Sequence, residues 1–209
     1  AAPVGTSPHD EAVDRRALKS VGVQFFANGA TYATIIPRLP EIREQVGISI
    51  GTLGLVLTVA SIASLFGSVF AGRVTARIGS RRVMIYGATM SIGFMPIIGF
   101  ATSAVVLAVA LFGWLFFDIF IDVAMNVQGS ALSARRHTPV MNRLHGLWSL
   151  GSVAGGVLTV VLLRAGVSTE VQLAFVALVL VGSLLFVAPG LLHRDEAPEL
   201  DEEAAALQG

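Results

Sequence analysis

Asp118 and Asp122 stand one helical turn apart inside an otherwise apolar run, a setting in which a carboxylate is costly. At the centre of a membrane helix each opposes insertion by about 2.5–3.5 kcal/mol, so the pair costs roughly 5–7 kcal/mol unless hydrated, paired or protonated. Burial and a like charge one turn away both favour the protonated carboxyl. Asp118 or Asp122 is thus placed to carry a proton near neutral pH, with Asp122 the expected carrier; the alternative is a hydrogen bond to a neighbouring helix or a place in the interface. Trp114, Asp118, Asp122 and Asn126 recur every four residues, and so do Gln24, Asn28 and Tyr32. At that spacing each set forms a stripe along a helix, and polar stripes in lipid turn toward other helices or a water-filled cavity. His145 has the titration range for a proton relay, or anchors a helix end beside Arg143. Trp148 offers its face to a sugar ring or packs at the interface. Asn28 and Tyr32 are read as cavity lining, with interhelical hydrogen bonding as the alternative.

The elements that position these residues are membrane helices. The chain has 209 residues, 54% hydrophobic and 13% charged, with a mean hydropathy of +0.76, far from the charged fraction of about 25% in soluble domains. Six stretches approach the roughly 20 apolar residues a span requires: Val21 to Pro37, Thr52 to Ala71, Val83 to Ala101, Val105 to Val127, Leu144 to Leu163 and Val171 to Leu192. The expected organisation is an N-terminal segment over 1–20, a six-helix transmembrane domain over 21–192 and an acidic tail over 193–209. No removable signal peptide is expected, so the first span directs insertion. Eleven of the fourteen Lys and Arg residues fall on one side of this topology, and only Arg38, Arg43 and Arg164 on the other. By the positive-inside rule both termini are expected in the cytoplasm of a cell with this protein in its inner membrane. Arg38, between two prolines, is expected to mark the outer boundary.

Spans three and six are apolar around almost their whole circumference and are expected to face lipid. Span two carries Ala60, Ser64 and Ser68, and span five carries Gly151 and Gly155, small ridges suited to close helix packing. The pattern predicts a cavity bordered by spans one and four and supported by two and five. No cysteine is present, and neither a Gly-x-Ser-x-Gly elbow nor a His-Glu-x-x-His metal site occurs. No enzyme activity, cofactor, metal or nucleic-acid partner is expected.

Between spans two and three lies GRVTARIGSRR, residues 72–82, with four arginines. It resembles the signature of the major facilitator superfamily, Gly-x-x-x-Asp-Arg-x-Gly-Arg-Arg-Arg/Lys: Gly72, Arg77, Gly79, Arg81 and Arg82 stand in matching places, while Ala76 and Ser80 replace an acid and a base. Asp-Val-Ala-Met-Asn at 122–126, His-Gly-Leu-Trp-Ser-Leu-Gly at 145–151, and Phe-Ala-Asn-Gly at 26–29 followed by Pro-Arg-Leu-Pro at 37–40 resemble a bacterial branch related to fucose permeases. The resemblance implies an all-α integral membrane protein, one amino-terminal half of a fold with two six-helix halves that rock about a midplane site. It implies proton-linked uptake of a sugar or similar small polar solute, with helices one and four lining the cavity and the basic stretch acting as a conformational latch. The implied partners are the bilayer, solute and proton, and a complementary six-helix half or a second copy; a non-transporting truncated module is the alternative. Span four lacks the family's usual arginine. Span five lacks the Gly-Pro pattern associated with antiporters, so export is not favoured.

Overall fold

A computed structural model describes residues 8–193; the expected acidic tail from Asp195 lies outside them. Every regular element described is helical: α1 (Pro8–Ile35), α2 (Leu39–Val46), α3 (Ile50–Ile78), α4 (Ser80–Gly99), α5 (Ala104–Arg135), α6 (Met141–Arg164) and α7 (Thr169–Val187), with single 3-10 turns at Ile36–Arg38 and Ala188–Gly190. Local chemistry sets the ends. Ser49 and Ser103 accept the Thr52 and Val106 backbone N–H groups at 3.0 and 3.3 Å and so start α3 and α5. Pro37 and Pro40 stand where α1 gives way to α2, near helix starts that need no N–H from them.

The basic stretch is helix, where an inter-span loop was expected. Helix α3 continues through Arg73 and Arg77 to Ile78, α4 begins at Ser80, and Gly79 alone makes the turn at φ +88°. A side chain there would meet the steric penalty that glycine escapes.

Helices α3, α4, α5, α6 and the segment Thr169–Gly190 are long and apolar enough to cross a membrane. Helix α1 matches them in length at 28 residues, but its charged first half and its run of Gln24, Asn28, Thr31, Tyr32 and Thr34 dilute its hydropathy. It occupies the middle of the bundle, with α6, α7 and α5 as neighbours, while α5 packs against α4 and α3. Close packing of α1 on α6 rests on missing side chains. A Cβ at Gly151 or Gly155 would run into the backbone of Phe26 or Ala30, and one at Gly29 into the Trp148 carbonyl. The Gly151–Gly155 ridge thus packs as its spacing suggests. On α3 the buried ridge is Ala60, Ala63, Gly67 and Ala71; Ser64 is half-buried and Ser68 exposed.

Helix α6 buries 17% of its most apolar window and α3 28%, against 44% for α4 and 39% for the last span. Spans three and six are therefore the better covered, because α4 and α7 pack on each other as well as on the central helices. Their all-round apolarity reflects one face on protein and one carrying exposed side chains such as Phe175, Leu178, Leu185 and Phe186. Two apolar cores fill the bundle, one around Phe25, Met84, Met125 and Leu144, the other around Ile35, Met95, Leu111 and Leu173. Along α1 and α5 the residues between these cores are Asn28 and Asp118.

Candidate functional site

At this polar level three helices meet through one hydrogen-bonded chain. The Trp148 indole N–H of α6 donates to Asn28 Oδ1 of α1 at 2.8 Å, and Asn28 Nδ2 donates to Asp118 Oδ1 of α5 at 2.7 Å. The Tyr32 hydroxyl donates to Asp118 Oδ2 at 2.5 Å. Each carboxylate oxygen of Asp118 thus receives a donor, and the side chain is buried. Hydrogen bonds to a charged group contribute about 1.5–3 kcal/mol each, so two offset a large part of the cost of placing a carboxylate there. The Tyr32 ring lies 4.9 Å from that of Trp114, which braces it.

Asp122 is held more loosely. It accepts one long bond of 3.3 Å from Asn126, whose amide also bonds the Asp122 carbonyl at 2.8 Å, and it lies within electrostatic reach of His145. The His145 Nδ1 sits 3.0 Å from the Met141 carbonyl. Since a carbonyl only accepts, Nδ1 carries the proton and Nε2 is left for other partners.

These groups surround a cavity of about 360 Å³ lined by Phe25, Asn28, Tyr32, Ser64, Asp118, Ile119, Asp122, Met125, His145 and Trp148. Helices α1 and α5 supply most of the wall, α3 and α6 the rest. The lining holds two carboxylates, an amide, two hydroxyls, an imidazole and an indole, and no Lys or Arg. Among the described residues no group of three or more His, Cys, Asp or Glu side chains is placed to hold a metal ion.

Of the cavity residues read from the sequence, the structure brings Asn28, Tyr32, Asp118, Asp122, His145 and Trp148 together and leaves Gln24 and Asn126 outside the lining. The reason is helical drift. Four residues advance a helix by about 400°, so each step of the stripe turns about 40° and two steps about 80°. Gln24 therefore points toward α4 and α7 when Tyr32 faces the cavity.

A profile of the Major Facilitator Superfamily matches residues 21–208. The chain belongs to the major facilitator superfamily. It is a multi-pass membrane protein of a transporter family. It is 27% identical over 199 residues to an uncharacterised MFS-type transporter of Yersinia pestis, covering 93% of this chain and 51% of the relative. It is 28% identical over 137 residues to the uncharacterised transporter y4wD of Sinorhizobium fredii, covering 66% of this chain and 36% of the relative. It is also 29% identical over 140 residues to the membrane protein MosC of Rhizobium meliloti, covering 66% and 34%. The chain thus spans about half of the first relative and about a third of the other two.

In this major facilitator chain the superfamily's basic signature is tied to the far end of the sequence. Arg81 contacts His193, and Gln128 of α5 donates to Ser80 Oγ at 2.8 Å while bonding both backbone groups of Leu192. Arg73 and Arg82 are exposed, and Ala76 is half-buried. Helix α5 is also held to α1 here, by Arg135 Nε donating to Asp14 at 2.7 Å.

Arg38 is a second centre that the sequence reading passed over. It is 1% exposed and lies within the protein. Its Nε and Nη2 donate to Gln172 Oε1 at 2.9 and 2.6 Å, Nη2 also to the Val167 carbonyl at 2.8 Å, and Nη1 to Glu41 at 2.5 Å. Thr169 donates to the same Glu41 oxygen at 2.7 Å, and Gln172 Nε2 donates to Thr159 at 2.9 Å. The Thr169 bond, and after it Arg38, hold the Glu41 carboxyl below its ordinary value against the opposing effect of burial. This clasp joins the end of α1 to α2, α6 and α7. Gln172, a lone amide in an apolar span, was the available signal.

Proposed function

We propose that this chain forms one six-helix wall of a secondary transporter that couples a proton to uptake of a sugar or similar small polar solute. The observation that carries the reading is the cavity itself, where Asp122 stands half-buried beside a fully bonded Trp148–Asn28–Asp118–Tyr32 chain. The two carboxylates divide the work. Asp118 holds the wall, and Asp122, with one long side-chain bond and His145 nearby, is the principal proton carrier. Asn28, Tyr32 and the face of Trp148 meet the solute.

In this reading α1 is span one and brings the number of spans to six, both termini are cytoplasmic in an inner membrane, and Arg77, Arg81 and Arg82 belong to a latch facing a complementary half. The charge asymmetry supports the orientation, and the length of the relatives supports the second half. The motifs at 26–29, 122–126 and 145–151 favour the fucose-permease-like branch. A second reading, a module that transports nothing without a separate carboxy-terminal half, is supported by the same length comparison.

The test is proteoliposome flux with the chain alone and with a complementary half. Asp122→Asn leaves solute binding within about threefold, the scale of one weak neutral hydrogen bond, while abolishing accumulation driven by a proton gradient. Accumulation undiminished in Asp122→Asn overturns the assignment. Flux restored by the added half supports the split-transporter reading, and flux absent from both preparations selects a non-transporting module.

A further inference from the structure

Behind the Asp118 carboxylate lies a second, much smaller cavity of about 20 Å³, bounded by α1, α4, α5 and α7. Asn28 and Asp118 are common to both cavities and form the partition between them. The other polar groups lining the small one are Gln24, Thr31, Ser91 and Ser183. Thr31 is satisfied by the Ala27 carbonyl at 2.8 Å, and Ser91 has only a long bond of 3.4 Å to the Trp114 carbonyl. Gln24, 6% exposed, and Ser183 form no side-chain hydrogen bond among the described residues.

Among the described residues the fully buried side-chain atoms left without a partner are Thr75 Oγ1 and Trp114 Nε1, so the Gln24 and Ser183 polar atoms keep accessible surface, and polar groups in such a place are ordinarily paired with protein or water. A space needs about 10–15 Å³ to take one water, together with two to four polar partners. This cavity meets both conditions and is too small for a solute. A bare cation fits poorly, because Asn28 and Tyr32 already direct their donors at both Asp118 oxygens.

We propose that this cavity is a one-water site, and that the water bridges Asp118 to the Gln24 amide and the Ser183 hydroxyl, giving the carboxyl a proton-exchange face away from the solute cavity. In each exchange the carboxyl O–H bond breaks as its proton joins the water, and a proton of the water returns to the carboxylate. Atoms and charge balance with water as the sole co-reactant. The polar file continues one turn toward the start of α1 with Ser20, itself buried and pressed against Gly190, so hydration of Asp118 is approached from that end of the bundle. The proposal rests on the reading of Asp118 as a wall of the solute cavity.

The chain has no native cysteine, so Ser64→Cys, in the lining of the large cavity, accepts a bulky maleimide that closes that side. In an Asp122→Asn background at acidic pH, the Asp118 carboxyl band is followed by infrared spectroscopy after transfer to D2O, with Asp118→Asn identifying the band. With the large cavity plugged, Asp118 still exchanges, and Gln24→Leu or Ser183→Val slows the exchange about tenfold or more, the scale of one lost hydrogen bond. Exchange abolished by the plug alone, or unchanged in both variants, overturns the proposal. No solute or gradient enters this readout, so failure of the transport reading in flux assays is scored separately.

Discussion

Tyr32→Phe and Asp118→Asn, made singly and together, measure how strongly the polar level is coupled. Tyr32 donates to Asp118 Oδ2 at 2.5 Å and Asn28 to Oδ1 at 2.7 Å, with the carboxylate 7% exposed. Removing the hydroxyl strips one of two donors from a buried charge, which costs about 1.5–3 kcal/mol on the scale for hydrogen bonds to charged groups. Polar contacts between membrane helices measure lower, about 0.6 kcal/mol on average and 1.7 at most, because the unfolded chain in lipid also finds partners. A charged acceptor with neighbours on three helices belongs at the upper end, so Tyr32→Phe should destabilise by about 1.5–2 kcal/mol. In the Asp118→Asn background the acceptor is neutral, and the same change should cost roughly 0.5 kcal/mol. The coupling energy is then about 1–1.5 kcal/mol, well above the 0.3–0.5 kcal/mol scatter of independent sites. Equilibrium unfolding of the four proteins in bicelles at neutral pH, followed by the combined fluorescence of Trp114 and Trp148, gives the value directly. Strict additivity within about 0.3 kcal/mol would refute the argument that this bond neutralises a buried charge.

The Arg38 clasp predicts a pH effect of defined sign. Glu41 has a folded value lowered from an ordinary 4.5, so its stabilising contribution is present above that value and is lost as pH falls through the folded one; Glu41→Gln should remove that acid-labile component, and Thr169→Val should weaken it, in acid titrations of thermal stability. Gly151→Val should force α1 and α6 apart, since even a Cβ there collides with the Phe26 backbone, at a cost of about 1–3 kcal/mol or more; a cysteine pair at Ala33 and Gly156, where a Cβ on the glycine would stand 3.9 Å from that of Ala33, should then cross-link more slowly, and an unchanged rate would argue against backbone contact at this ridge.

Helix content, the membrane setting and the superfamily were legible because hydropathy, capping residues and the basic signature are local in sequence. Six of the eight residues expected to couple protons or line the cavity are brought to one cavity by the fold. Gln24 and Asn126 fall outside that lining because a four-residue repeat is not straight: the helix turns about 40° at each step. The partners of Arg38 were not legible, because an arginine beside prolines looks the same whether it meets water or a buried amide 134 residues away. Burial within the bundle follows the packing ridges instead of hydropathy, since α3 and α6 bury narrow small-residue ridges and leave their remaining faces open.

What the sequence determined by itself is the solvent this chain lives in and the chemical inventory it carries into it, because transfer to lipid is nearly additive over residues. Which donor meets which acceptor was decided by the tertiary structure. Asn28 and Tyr32 find Asp118 from 90 and 86 residues away, and Trp148 finds Asn28 from 120. Those meetings depend on helix rotation and approach, which the glycine ridge of α6 and the packing of α5 against α3 and α4 set, and which no single helix specifies.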